Sequence, residues 1–316
     1  MKLDQIRNQM TKRRIVITAT VIAILPVLYF SMSWYIVTQA LKTNDVFTEF
    51  TYHPDEWELT YEDVEFHPRG DELITLRGWW LPVEDAVGSI IWVHGVDKDR
   101  SVSLPLLRDL IQEGFSVLAF DLRGHGQSDI VPLGAGYKEP ADVRGAIDFL
   151  LAEKEVPPGN VLLMGSSFGA SIVLMAGVGE SAVAGVYADS PFASLPDLMI
   201  AEIEMRTPAP SWLASMLRPG ILRVGSFMGI ELDQVRPEHA VESYTGVSIG
   251  LAHCREDERI PMEHSVRIRA ASPLPVWFNL YPGCAHDDAY WDFPEQYVVI
   301  VTDYFLDQLD WHETQP

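Results

Sequence analysis

Cysteine is nearly absent from this chain of 316 residues: Cys254 and Cys284 are the whole supply. Two cysteines cannot build a disulfide-rich scaffold or a four-cysteine zinc site. Positive charge is scarce too, with 23 Lys and Arg against 45 Asp and Glu and a formal net charge of −22. Six of those basic residues and only three of the acids precede position 50, so the remainder carries a net −25. Such a surface repels phosphate backbones, which argues against a nucleic-acid partner. There is no repeat of fixed period, no long low-complexity tract and no ligand cluster at metal spacing. With 47% apolar and 22% charged residues, the chain has the composition of a globular protein with one large core or two modest ones.

Charge is also missing locally, from Ile15 to Val37 inside the apolar run Ile15–Leu41. About 23 uncharged residues make roughly 34 Å of helix, enough to cross a bilayer. Pro26 sits within the run, as membrane helices tolerate. Lys12, Arg13 and Arg14 precede it and only Lys42 closely follows, so the N-terminus is expected to stay cytoplasmic and the rest extracytoplasmic. A cleaved signal peptide would have a shorter apolar core and a better cleavage site than Thr38-Gln39-Ala40. A buried core helix is the remaining alternative. The expected organisation is a basic N-terminus (1–14), a membrane span (15–41), a juxtamembrane linker (42–57) and one catalytic domain (58–316).

After position 57, strand-like and helix-like segments alternate. Glu58–Phe66 and Glu72–Leu81 read as a hairpin turning at Pro68-Arg69-Gly70-Asp71. Buried strands follow at Ser89–His94, Phe115–Phe120, Asn160–Met164, Val183–Ala188, Ser248–His253 and Pro275–Tyr281. Helical patterns lie at 104–113, 140–153, 168–178, 262–271 and 294–309. This alternation predicts an α/β fold, a mostly parallel sheet with helices on both faces. Residues from about 195 to 247 break the rhythm with methionines, prolines and helical patterning, and read as a helical cap between the sixth and seventh strands.

The chemistry concentrates at Gly165-Ser166-Ser167-Phe168-Gly169, which fits G-x-S-x-G between a strand and a helix. A nucleophile on such a turn adopts strained backbone angles, and flanking glycines relieve the crowding. The helix start offers the Phe168 N–H to a developing oxyanion. A serine hydroxyl needs a base, and His286 lies in the loop after the last strand. His94 and His253 end strands on the same edge. His53, His67, His239, His264 and His312 are more simply surface or structural. The base needs a carboxylate: Asp257, after the penultimate strand, is the first candidate and Asp189 the second. The order Ser, Asp, His suits this fold. The loop after Ser89–His94 offers a second oxyanion donor, Val96, made reachable by Gly95; Asp97 could take that position instead.

At these residues the chain resembles the alpha/beta-hydrolase superfamily, in its serine-aminopeptidase-like branch, and is similar to membrane-anchored members of the alpha/beta-hydrolase-domain group. The likeness runs from about Glu58 to the C-terminus. It rests on Val93-His94-Gly95, Phe120 through Ser128, Gly165 through Gly169, Ala188 through Phe192, Asp257 through Pro261 and Pro282 through His286. The resemblance implies a Ser167, Asp257, His286 triad, oxyanion donors at Val96 and Phe168, and a structural role for Asp121–Ser128. It further implies cleavage of esters, thioesters or amides in a small-molecule or acylated substrate, without cofactor or metal. Two departures stand out. The family usually has a small residue where this chain has Cys254, and Cys284 sits two residues before the base. Their loops follow neighbouring strands, so a Cys254–Cys284 disulfide between acid and base loops is one expectation and two buried free thiols the other.

Other readings stay open. A lyase or perhydrolase would share the triad, a serine peptidase would differ only in substrate, and a dehalogenase would want a carboxylate nucleophile. A membrane-tethered binding module would predict a broken triad.

Overall fold

The computed structural model describes residues 2–42, 49–208 and 210–314. A long N-terminal helix, α1 (Lys2–Ala40), contains Pro26 and is long and apolar enough to cross a membrane. Part of the expected linker, residues 43–48, lies outside the described residues. The part that follows is packed rather than a free tether. Pro54–Trp57 forms a 3₁₀ turn with Pro54 buried, and the rings of Phe50 and His53 lie 4.6 and 5.3 Å from that of Trp79.

The sheet strands are β1 (Glu62–Phe66), β2 (Leu76–Leu81), β3 (Gly88–Val93), β4 (Phe115–Phe120), β5 (Val161–Ser166), β6 (Val183–Asp189), β7 (Ile249–Cys254) and β8 (Val276–Tyr281). Their order is β1-β2-β4-β3-β5-β6-β7-β8. The β1/β2 and β2/β4 pairings are antiparallel and the others parallel. The first two strands begin four residues later than the sequence suggests. In front of β1, Glu58 takes a left-handed conformation that ends the 3₁₀ turn.

Period-two alternation divides the strands between two cores. Ile91, Val93, Leu118 and Phe120 face one side, while Ile90, Trp92, Val117 and Ala119 face the other. The first side is covered by α3 (Pro140–Glu153), α4 (Phe168–Ala176) and α8 (Glu263–Ala271). On the second side lie α2 (Leu104–Gln112) and the last helix, α10 (Pro294–Glu313), with the one-turn α9 (Ala289–Asp292) just before it. Helix α10 turns Tyr297, Val301, Tyr304 and Phe305 inward, a stripe at helical spacing.

Between β6 and β7 the chain runs through α5 (Leu195–Arg206), α6 (Ser211–Phe227), a 3₁₀ turn (Leu232–Gln234) and α7 (Pro237–Val241). The insert packs on the first core, and so does the end of α1: Val37 and Leu41 are buried there among strand and insert side chains. Every parallel strand therefore delivers its C-terminal loop to the edge that the insert and α1 overhang.

Candidate active site

Ser167 stands between β5 and α4 with φ 54° and ψ −115°, a conformation costly for any residue with a side chain. The two glycines make it possible. A Cβ on Gly169 would lie 2.2 Å from the Val93 carbonyl oxygen, and one on Gly165 would lie 2.6 Å from the Gly169 carbonyl carbon. Helix, strand and turn thus meet at backbone contact. The Ser167 N–H donates to the Asp189 carbonyl at 2.8 Å and pins the turn to the end of β6.

His286 comes from the loop after β8, and its Nε2 lies 2.8 Å from Ser167 Oγ. Its Nδ1 lies 2.6 Å from Asp257 Oδ2. A carboxylate can only accept, so Nδ1 carries the proton and Nε2 is left to accept from the serine hydroxyl. Asp257 Oδ1 accepts from the backbone N–H groups of Arg259 and Ile260 at 2.9 and 2.8 Å. Burial opposes ionisation of Asp257, yet hydrogen bonds from His253 and His286 outweigh it, with help from the charge of His286 and from Ile260 N–H. The carboxyl is held well below the usual carboxylate range.

His253 has a place at the site that its position at the end of β7 did not announce. Its Nε2 donates to the Ile260 carbonyl at 2.7 Å and lies 3.4 Å from Asp257 Oδ2, while Nδ1 meets Ser265 Oγ at 2.7 Å. The ring props the acid loop from beneath. The only signal in the sequence was its spacing, four residues before Asp257. Asp287, next to the histidine, was also missed: it takes a left-handed conformation, pairs with Lys98 Nζ and accepts from Ser166 Oγ at 3.1 Å. It links the base loop to the strand below the serine.

Asp189, the second candidate acid, is bound elsewhere. Its oxygens accept from the hydroxyls of Tyr297 and Ser190, each at 2.9 Å, and burial, aided by the charge of Asp287, pushes its carboxyl up to about 6. His94 shapes the loop after β3. Its Nε2 accepts from Leu122 N–H and its Nδ1 donates to the Gly95 carbonyl, so the buried ring is neutral and is pushed down to about 4 by burial. A Cβ on Gly95 would sit 3.4 Å from Ser167 Cβ, which brings this loop against the serine. Val96 lines the same cleft as Ser167 and Phe168. Phe168 is the first residue of α4, where an N–H has no carbonyl of its own helix to meet.

Asp121 forms the floor. It accepts from the backbone N–H groups of Arg100 and Gln127 and pairs with the buried Arg100 guanidinium at 2.8 Å. Cys254 and Cys284 are joined in a disulfide with Cα atoms 5.3 Å apart, tying the end of β7 to the loop that carries His286.

The cleft above Ser167 holds about 610 Å³ and is walled by α5, by the loop after β3 and by the last turns of α1. A serine on a strand-to-helix turn, at the C-terminal edge of such a sheet, defines the class as the alpha/beta hydrolases. Residues 73–314 match the model of the alpha/beta hydrolase family, and the chain belongs to that family. It is 29% identical over 249 residues to the uncharacterized protein YfhR of Escherichia coli strain K12, covering 76% of this chain and 78% of that one. It is 30% identical over 216 residues to the uncharacterized protein Rv2307c of Mycobacterium tuberculosis, covering 67% and 68%. Among solved structures, the Pyrococcus furiosus esterase Pf2001 superposes with a TM-score of 0.66 at 23% identity, over 84% of this chain and 98% of that chain. Acetyl xylan esterase 1 from Thermoanaerobacterium does so at 0.59 and 17%, over 88% and 93%. At these identities the likeness is one of fold.

Proposed function

We propose that the protein is a membrane-anchored serine hydrolase that cleaves an ester, thioester or amide by two-step acyl transfer. The carrying observation is the continuous chain from Ser167 Oγ through the His286 ring to the Asp257 carboxylate, at 2.8 and 2.6 Å. Ser167 Oγ attacks the carbonyl carbon while its proton passes to His286 Nε2, and Asp257 steadies the imidazolium. The N–H groups of Phe168 and Val96 are the proposed donors to the oxyanion. Collapse expels the leaving group, which takes the proton from Nε2. Water, activated by the same ring, then releases the acyl group.

Residues 15–41 serve as the anchor, with Lys12, Arg13 and Arg14 on the cytoplasmic side and residues 58–316 as the extracytoplasmic hydrolase domain. The disulfide fits an oxidising compartment. The insert at 195–247 acts as a cap, and its Leu198, Met199 and Ile203 give the cleft an apolar wall suited to an acyl group. The full chain in detergent, treated with a fluorophosphonate probe, should label, and the Ser167→Ala chain should not. Labelling that survives in Ser167→Ala, or no labelling of the native chain, refutes the assignment.

A further inference from the structure

Helix α6 presents an apolar surface outside the span. On a chain with 45 acidic residues, Ser211–Phe227 contains none. Trp212, Met216 and Phe227 are 64%, 58% and 80% exposed, and they fall along one stripe with Pro219 and Arg223. Large apolar residues gathered this way mark a surface that meets something other than water.

What they meet follows from how α6 is bound. The Tyr29 hydroxyl of α1 donates to the Met216 carbonyl at 2.9 Å and accepts from Gly220 N–H at 2.8 Å. Those groups are one helical turn apart, so the hydroxyl bridges the α6 ladder beside Pro219. A Cβ on Gly220 would lie 2.3 Å from Ser33 Oγ and 2.7 Å from the Tyr29 ring, so the helices touch as small-residue pairs do in membranes. Further along, Trp34 and Phe227 bring their rings to 6.1 Å.

The length of α1 then fixes the depth. Arg14 is the last charged residue before the span. From Ile15 to Leu28 there are about 14 residues, or ~21 Å of helix at ~1.5 Å each. A hydrocarbon layer is about 30 Å thick. The missing ~9 Å can come only from Tyr29 onward, the segment fastened to α6. If Tyr29 is in hydrocarbon, so is the turn of α6 that it bridges.

We infer that α6 lies within the bilayer leaflet on the hydrolase domain's side, so that the cleft receives the acyl chain of a membrane lipid sideways from that leaflet. This rests on the anchor and hydrolase reading given above. The cleft is placed for it: Tyr35, Ile36, Gln39 and Ala40 of α1 line it together with Leu198 and Ile203 of α5, and Ser167 lines the same cleft. Arg223, the exposed charge of the stripe, has a long stem that can carry its head to the lipid phosphates.

The test uses the full chain in phosphatidylcholine vesicles whose acyl chains carry bromine at mid-chain. Both native cysteines are bonded, so a single new cysteine can hold a fluorophore. Three positions are compared: Trp212→Cys, Ile22→Cys within the span, and Val299→Cys on the exposed face of α10. Bromine should quench the first two and spare the third. A dye at 212 that escapes bromine while that at 22 is quenched overturns the inference and leaves the anchor standing. If aqueous iodide also fails to reach that dye, a second protein copy covers the stripe. Escape at 22 overturns both readings. A second arm measures hydrolysis of a long-chain acyl ester dissolved in the vesicles and of a water-soluble acetate ester. The combined Trp212→Ser, Met216→Ser, Phe227→Ser chain should lose about tenfold or more on the first and stay within about twofold on the second. Equal losses on both substrates refute lateral entry. A native chain inactive on both refutes the hydrolase reading, while the quenching result still decides the depth of α6.

Discussion

Opening the Cys254–Cys284 bond is the perturbation whose size the structure sets most directly. The bond closes a loop with a sequence separation of 30 that contains β8, the Asp257 loop and α8. Freeing a loop of about 30 residues returns to the unfolded chain an entropy worth ~3.6 kcal/mol at 25 °C on the loop-closure relation. For a domain of about 260 residues that corresponds to a melting shift of roughly 7 °C. The bond also acts on the site, because Cys254 lies three residues before Asp257 and Cys284 two before His286. Without it Arg255 N–H still donates to the Tyr281 carbonyl and Gly283 N–H to the Glu256 carboxylate, so the loops should loosen rather than part. The assay is thermal unfolding of the Cys254→Ser, Cys284→Ser chain in detergent, together with turnover of a soluble ester well below the melting range. We expect the melting shift and a fall in kcat of about three- to tenfold, since small displacements of a base cost rate steeply. The doubly substituted chain should ignore reductant, and the native chain under reductant should resemble it. A melting shift below about 2 °C, with unchanged kcat, would refute both the entropic and the positional argument.

Asp257→Asn keeps the volume but loses the charge that fixes the histidine tautomer, so kcat should fall roughly 10³–10⁴-fold with little change in KM; a loss under tenfold would exclude Asp257 as the orienting acid. Gly169→Ala drives a Cβ to 2.2 and 2.5 Å from the Val93 and His94 carbonyl oxygens, whereas Gly179→Ala meets nothing within 4 Å at φ +76°. The first should cost a few kcal/mol and most of the activity, the second only about 1 kcal/mol of backbone strain, and equal melting shifts would contradict the packing. His125 is pushed down to about 4 by burial, so its folded pKa lies below its unfolded value near 6.5. Its stability contribution is present above that value and is lost as pH falls toward 4. Between pH 7 and 5 the native chain should therefore lose about 2 kcal/mol more than His125→Asn, read from denaturant midpoints in detergent, and parallel curves would refute it.

Much of this was legible from local pattern, because local pattern is what a parallel sheet consumes. Each buried strand is a short apolar run, each helix a periodic one, and G-x-S-x-G encodes its own turn through two glycines that have no room for a Cβ. The cysteine pairing was also within reach, since adjacent strands must deliver their loops side by side. What the sequence concealed depends on contacts between distant segments. The support of His253 under Asp257 requires the acid loop to fold back over the end of its own strand. The bond from Tyr29 to α6 joins residues nearly two hundred positions apart, and neither residue type advertises a partner. Phe50 and His53, in a stretch read as linker, are fixed by Trp79, whose burial cannot be seen before the hairpin is formed.

The two candidate acids show that position at the strand edge does not fix a carboxyl's environment. Asp189 ends β6 and Asp257 follows β7, neighbouring strands, so the topology offers both to the same rim. Their donors differ. Asp189 receives two hydroxyls, which can turn to serve a protonated carboxyl equally well, and burial then raises it to about 6. Asp257 receives two backbone N–H groups that cannot turn away, and two imidazoles face its other oxygen. Fixed donors favour the anion alone. Removing one hydroxyl by Tyr297→Phe should leave Asp189 with one donor fewer and its carboxyl higher still, with no gain of contact to His286. The carboxyl held well below the usual range is the stronger partner for an imidazolium, and that setting comes from loop backbone and the facing imidazoles rather than from the strand that precedes it.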